Sequence, residues 1–176
     1  MCNKIEMVHK SAEILKIVTE LYGKRLYWHI RRIVVGHDDA EDALQETFVK
    51  IYDKAGSFRG DAGSLLPWCY RIATHEALQL LRRRARLFQS LDSVSAELAG
   101  KLAEECAPDA DRMSVLFQQA VLQLSTQQRI VFNLRYYDEL SYAEISRITG
   151  KSENSLRTNY SYAVNKIKEY LKENAI

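Results

Sequence analysis

Apolar side chains recur every third or fourth position along almost the whole chain, and few residues stand in the way of helix. Ile14, Ile17 and Leu21, then Leu26, Ile30 and Ile33, fall at helical spacing. Two prolines and seven glycines among 176 residues are too few for the turns an all-β chain needs. The expected class is therefore all-α. A hydrophobic fraction of 47% is enough to bury a core and argues against a disordered chain.

The period predicts a first helix over 8–35, with Gly23 as a point of interruption. Asp38 or Asp39 can cap a second helix that reaches position 53, with Ala40, Leu44, Phe48 and Ile51 turned inward. "KAGSFRGDAGS" reads as a loop. Ser64 can cap a third helix over 65–88, with Pro67 in its first turn, where a missing N–H costs little. Further on, a helix is expected over 111–124. Ser125 with Gln128, and Ser141 with Glu144, have capping-box spacing and open helices that end near Tyr137 and Gly150. Ser152 starts a last helix that runs to position 172.

Charge divides the chain into three. Residues 1–91 carry a net +4, residues 92–111 a net −5, and residues 112–176 a net +3. Two small helical domains, 1–91 and 112–176, joined by an acidic linker over 92–111, are the expected organisation. Mildly basic blocks of this kind suit a nucleic-acid partner. No apolar run approaches the roughly 18 residues of a membrane span, so neither insertion in a membrane nor a secretory leader is expected. The expected location is the cytoplasm. Cys2, Cys69 and Cys106 are too scattered for a disulfide framework or a paired zinc site, and Cys69 reads as a small packing residue. His9, His29, His37 and His75 are equally scattered. No catalytic residue, metal ligand set or cofactor is expected, because no nucleophile stands with a base and no glycine loop could cradle a phosphate.

Three stretches carry chemistry. In "LSYAEISRITGKSENSLRTNYSYAVNKI" a short helix, a turn at Gly150 and a longer helix have helix-turn-helix spacing. Leu156, Tyr160, Ala163 and Ile167 would pack inward. Asn154, Ser155, Arg157 and Thr158 would then lie at the end that touches base edges in such a motif. A plain helical hairpin with a wet polar face has the same spacing. In "WCYRIATHEALQLLRRRAR", Leu66, Tyr70, Ala73, Ala77 and Leu80 or Leu81 form one stripe, while Trp68, Arg71, His75, Gln79 and Arg82 form another. Rings mixed with cations suit a strand whose bases are unstacked, the cations following phosphates. Arginines near a helix C-terminus also favour its dipole, so a solvated face fits as well. Finally, Asp39, Asp42, Glu46 and Asp53 make an acidic row. It suits docking of a basic protein surface, or is simply solvated.

Taken in order, "DDAEDALQETFVKIY", "SFRG", "WCYRIATHEALQLLRRRAR" and "LSTQQRIVFNLRYYDELSYAEISRITGKSENSLRTNYSYAVNKI" resemble the extracytoplasmic-function sigma factors over nearly the whole chain, 21–171. That resemblance implies a factor that binds core RNA polymerase and directs initiation through −10 and −35 promoter elements. It implies polymerase contacts at Asp39, Asp42, Gln45, Glu46 and Phe48. It places the opened −10 strand at Phe58, Arg59, Trp68, Arg71, His75, Arg82 and Arg83. The −35 duplex would meet Lys151, Asn154, Ser155, Arg157, Thr158 and Ser161. Core polymerase, double- and single-stranded promoter DNA and an anti-sigma factor are the implied partners. The family commonly has leucine where this chain has Cys69, asparagine at His75 and arginine at Tyr162, which touches its base preference and one phosphate contact. The competing expectation is a stand-alone helix-turn-helix regulator, which would pair half-sites as a dimer.

Overall fold

The computed structural model describes residues 2–87 and 112–174, and every regular element among them is α-helix. Helices α1 (Cys2–Val34), α2 (His37–Ala55) and α3 (Ala62–Leu87) form an N-terminal bundle. Helices α4 (Arg112–Leu122), α5 (Thr126–Tyr136), α6 (Tyr142–Thr149) and α7 (Glu153–Asn174) form the C-terminal one. The expected linker, 92–111, lies outside the described residues, as do Phe88 and Asp111.

The N-terminal bundle is built on small residues at the crossings. Ala40 and Ala43 of α2 and Cys69, Ala73 and Ala77 of α3 are all buried, which lets the helices approach closely. Leu26, Ile30 and Ile33 of α1, Ile51 of α2 and Tyr70 and Leu81 of α3 fill the space between. Cys69 is a free, buried thiol, and burial pushes its pKa up to about 12. It packs and does not react. α1 continues through Gly23, against the expected interruption. A Cβ there would sit 3.7 Å from Phe48 Cζ, an ordinary contact, so the packing under that ring does not require glycine. Packing of α1 on α2 and α3 outweighs the roughly 1 kcal/mol that a mid-helix glycine costs.

Two N-termini differ from expectation. Gly36, not Asp38 or Asp39, is the N-cap of α2, and it offers no side-chain bond. Asp39 instead accepts a bond from Arg84 of α3, so its carboxylate is committed to holding two helices together. At α3 the cap is Asp61, not Ser64. Asp61 Oδ1 accepts the Ser64 backbone N–H at 2.9 Å, and its bonds with Ser64 hold the Asp61 carboxyl below its ordinary pKa. Starting at Ala62 moves Pro67 into the second turn, where it leaves the Gly63 carbonyl without its i+4 donor. Gly63 is exposed, so water can satisfy that oxygen.

The C-terminal bundle follows the sequence signals closely. Leu156, Ala163 and Ile167 of α7 are buried, and Tyr160 packs beside them. The Phe132 ring stacks on Tyr160 at 5.9 Å and on Tyr136 at 5.0 Å. Both capping boxes are formed. Gly150 closes α6 at φ 73°, a left-handed conformation that glycine adopts at no steric cost. The two bundles also touch each other: α3 lies against α6 and α1 against α5. One apolar cluster runs from α1–α3 into Ile130, Val131, Leu134, Ile145 and Ile148.

The α6 cap yields a pH-dependent prediction. Ser141 N donates to Glu144 Oε2 at 2.8 Å, and bonds from Ser141 hold the Glu144 carboxyl below its ordinary value of 4.5. A depressed carboxylate stabilises the fold above its unfolded pKa, and that contribution is lost as pH falls through the folded value. Ser141→Ala is expected to cost about 1 kcal/mol at neutral pH in urea denaturation. The gap from wild type should narrow below pH 4.5. Superimposable curves at pH 7 would contradict the role of the box.

Candidate nucleic-acid interface

α3 separates its two expected stripes. Tyr70, Ala73, Ala77 and Leu81 are buried, with Leu66 and Leu80 packed beside the core. Arg71, His75, Gln79 and Arg82 are exposed along the other side. Trp68 stands between the two, half-buried, with its ring 4.9 Å from Phe58 at 43°. His75 Nδ1 lies 3.2 Å from Glu76 Oε1 and 3.4 Å from Gln79 Nε2.

The loop before α3 is tied down by its own polar groups. Arg59 donates to the carbonyls of Gly56 (2.9 Å) and Phe58 (3.3 Å), and Lys10 Nζ donates to the Phe58 carbonyl at 3.2 Å. Gly60 is needed for close approach: a Cβ there would fall 2.6 Å from Phe58 Cζ and 2.8 Å from Ser64 Cβ. Phe58, Trp68, Arg71 and His75 therefore share one side of the bundle, with Arg59 folded back onto the loop.

The acidic row on α2 is shorter than expected. Asp42, Gln45, Glu46 and Asp53 are exposed, but Asp39 is buried against Arg84. Phe48 is half-buried and packs on the core. A groove of about 500 Å³ between α2 and α3 is lined by Asp42, Gln45, Glu46, Glu76, Arg83 and Arg84. Arg83 thus sits with the acidic row and away from Trp68, whereas Arg82 stays on the outward stripe.

On α7, Asn154, Ser155, Arg157, Thr158, Ser161 and Tyr162 are exposed together, as the spacing predicts. In the unbound chain several are occupied locally. Arg157 donates to Glu153 at 3.0 Å, and its guanidinium lies 4.6 Å from the centre of the Tyr142 ring. Thr158 donates to the Asn154 carbonyl at 3.0 Å. Lys151 departs from this group. It is half-buried, donates to Gln127, and lines a groove shared with Arg71 and His75 of α3. Lys10 and Tyr142 carry no signal of their own in the sequence, because each acts through a partner distant in the chain or on a neighbouring helix.

Among the described residues no group of His, Cys, Asp and Glu could hold a metal ion, and no helix is long and apolar enough to cross a membrane. What the fold offers is two surfaces on two helical modules. Residues 18–87 match the family description "Sigma-70 region 2", and residues 114–167 match "Sigma-70, region 4". An RNA polymerase sigma-H factor of Pseudomonas aeruginosa is 31% identical over 137 residues, covering 72% of this chain and 70% of that protein. The chain belongs to the sigma-70 family of RNA polymerase sigma factors. Within that family it is an extracytoplasmic-function factor. The sigma factor SigW of Bacillus subtilis, of that group, is 27% identical over 150 residues, 80% of each chain. The fold matches the sigma factor RpoE of Bartonella quintana, solved with the anti-sigma factor NepR, at a TM-score of 0.69 and 24% identity over 90% of this chain and 97% of that one. Membership decides against a stand-alone operator-binding regulator, because a sigma factor is a transcription initiation factor that acts with RNA polymerase.

Gly60→Ala tests how the Phe58–Trp68 side is built. Overpacking against Phe58 and Ser64 is expected to cost about 1–3 kcal/mol in thermal or urea unfolding and to shift tryptophan emission. A variant with wild-type stability and spectrum would show that the loop does not depend on that close approach.

Proposed function

We propose that residues 1–91 dock on core polymerase and hold the opened −10 strand, that residues 112–176 read the −35 duplex, and that residues 92–111 join them. The chain itself catalyses nothing. The observation that carries this assignment is the presence of two separate exposed faces of the right chemistry. One mixes rings and cations beside Trp68, and one presents short polar groups and Arg157 at the start of α7.

Asp42, Gln45 and Glu46, with Phe48 packed behind them, form the docking row for a basic polymerase surface. Asp39 supports that row by anchoring α2 to α3 through Arg84. Phe58, Trp68, Arg71, His75 and Arg82 take the unpaired strand. Unstacking a base costs a few kcal/mol, which ring stacking of about 1–3 kcal/mol per base offsets. Arg59 reaches phosphates only by leaving its loop carbonyls, and Arg83 acts from the α2–α3 groove. Asn154, Ser155, Arg157, Thr158 and Ser161 meet the major groove, where Arg157 can pair with a guanine edge or a phosphate. Lys151 joins them only after giving up Gln127.

Each module carries few surplus positive charges, so neither holds DNA tightly alone. Attachment of both to one enzyme raises the second contact to about millimolar effective concentration and adds roughly 10²- to 10⁴-fold in avidity. Binding should weaken steeply with salt as counterions are released. The same faces are those an anti-sigma factor would have to cover, and the chain works in the cytoplasm, where polymerase and promoter are.

Trp68→Ala is expected to leave polymerase binding intact and to reduce promoter opening, seen as lost permanganate reactivity around −10. Equal reactivity in wild type and variant would remove Trp68 from strand capture. Arg157→Ala should weaken the upstream footprint by about 1–3 kcal/mol. An unchanged footprint there would remove Arg157 from duplex contact.

A further inference from the structure

A groove of about 360 Å³ opens between the C-terminal half of α1 and the first two helices of the C-terminal module, α4 and α5. Trp28, Arg31 and Arg32 stand along one wall, on a single face of α1. Gln118 of α4, Asn133 of α5 and Tyr137 just beyond it stand along the other. None of these residues belongs to the acidic row of α2, the face around Trp68 or the exposed face of α7.

The lining carries charge of one sign, with two guanidiniums and no carboxylate. Its polar groups are held in place by their neighbours. Arg32 Nη1 donates to Asp138 Oδ1 at 3.2 Å, and the guanidinium covers the Tyr137 ring at 4.2 Å. Gln118 Nε2 donates to the Tyr137 hydroxyl at 3.1 Å. Small-molecule sites are largely pre-formed in this way, and about 300–1,000 Å³ is their usual size.

Three features of the groove have no use in packing alone. The Trp28 indole is 46% exposed, touched edge-on by Tyr27 at 5.3 Å. Asn133 is wholly buried, yet neither Oδ1 nor Nδ2 of its amide has a partner among the described residues. Native interiors rarely leave such groups unpaired. Val35, which also lines the groove, follows α1 at φ 65°, where a β-branched residue is an outlier. Strain of that kind clusters at ligand clamps and active sites. The groove thus runs from an exposed indole to a buried amide with a donor and an acceptor unfilled, past two cations.

A complementary ligand needs a flat ring for the indole, a donor beside an acceptor for the amide, and an anion for the guanidiniums. Adenine offers an amino donor at N6 and an acceptor at N7 on one edge, and an asparagine amide pairs with both. Guanine shows two acceptors there, N7 and O6, so the same amide could satisfy only one of them. The base stacks on the ring as bases do on aromatic side chains, and a phosphate takes the guanidiniums through charge-assisted bonds. We propose that this groove binds an adenine nucleotide, with the base between Trp28 and Asn133 and the phosphate at Arg31 and Arg32. The site stands apart from the promoter roles above and does not depend on them.

Isothermal titration calorimetry of the full-length chain with AMP, GMP and ribose 5-phosphate tests it. AMP is expected to bind one to one and about tenfold more tightly than GMP. Arg31→Ala and Trp28→Ala each remove one contact and should weaken AMP binding about tenfold. Asn133→Leu fills nearly the same space without polar atoms, so it should keep its helix content and lose the preference for AMP over GMP. If far-UV circular dichroism shows that Asn133→Leu does not fold, the Arg31→Ala and Trp28→Ala titrations decide. No heat with millimolar AMP, equal affinity for AMP and GMP in the wild type, or wild-type affinity in the folded variants would overturn the site. Ribose 5-phosphate binding as tightly as AMP would reduce it to an adventitious ion only. Loss of AMP binding in Trp68→Ala with retention in Arg31→Ala would place the nucleotide on the strand face and overturn the assignment as well.

Discussion

The burial of one stripe of α3 against α1 and α2 sets everything else in the N-terminal module. Cys69, Tyr70, Ala73, Ala77 and Leu81 go into the core, so helical geometry turns Arg71, His75, Gln79 and Arg82 outward. The alanines matter as much as the large side chains, because they let α2 come close enough for Asp39 to reach Arg84. That ion pair aligns the acidic row of α2 with the arginines of α3 across one groove. The ring of Trp68 sits at the border of the two stripes, partly held by Phe58 and partly open to a partner. Trp68 and Arg82 thus flank one uncovered line of the helix, whereas Arg83 and Arg84 turn into the groove with α2.

The C-terminal module follows a different rule. Its reading helix is held by Leu156, Ala163 and Ile167, and the two capping boxes and Gly150 set where each helix begins and ends. Its polar face is not idle in the unbound chain. Glu153 and the Tyr142 ring hold Arg157, and the Asn159 amide donates to the Ser155 carbonyl at 2.8 Å. These local bonds limit the side-chain disorder that binding would have to remove, at the expense of contacts that DNA must displace.

Local signals in the sequence anticipated most of this. The inward stripes on α3 and α7, both capping boxes and the loop at Phe58 depend on residues three or four apart, and such spacings are visible in a single chain. What was missed depends on distant partners. Asp39 stood as a cap candidate and as one member of a docking or solvated acidic row, and its bond from Arg84, 45 residues later, had no local signal. Ser64 looked like a cap because nothing in the spacing ranked it below Asp61. The bond of Lys151 to Gln127 and its place beside α3 in the unbound chain also rest on partners distant in sequence. Asp138 carried no local signal at all; its partners lie 106 and 113 residues earlier in the chain. The role of the chain as a sigma factor came through the order of several moderate motifs, since none of them is specific alone.

Run-off transcription tests the central claim most directly. Sigma-free core polymerase from the host would be supplied with the purified chain and a library of its promoters. The account predicts transcripts from a restricted set of promoters that share −10 and −35 sequences, appearing only when the chain is present and fading as salt is raised. An identical transcript profile with and without the chain would contradict it.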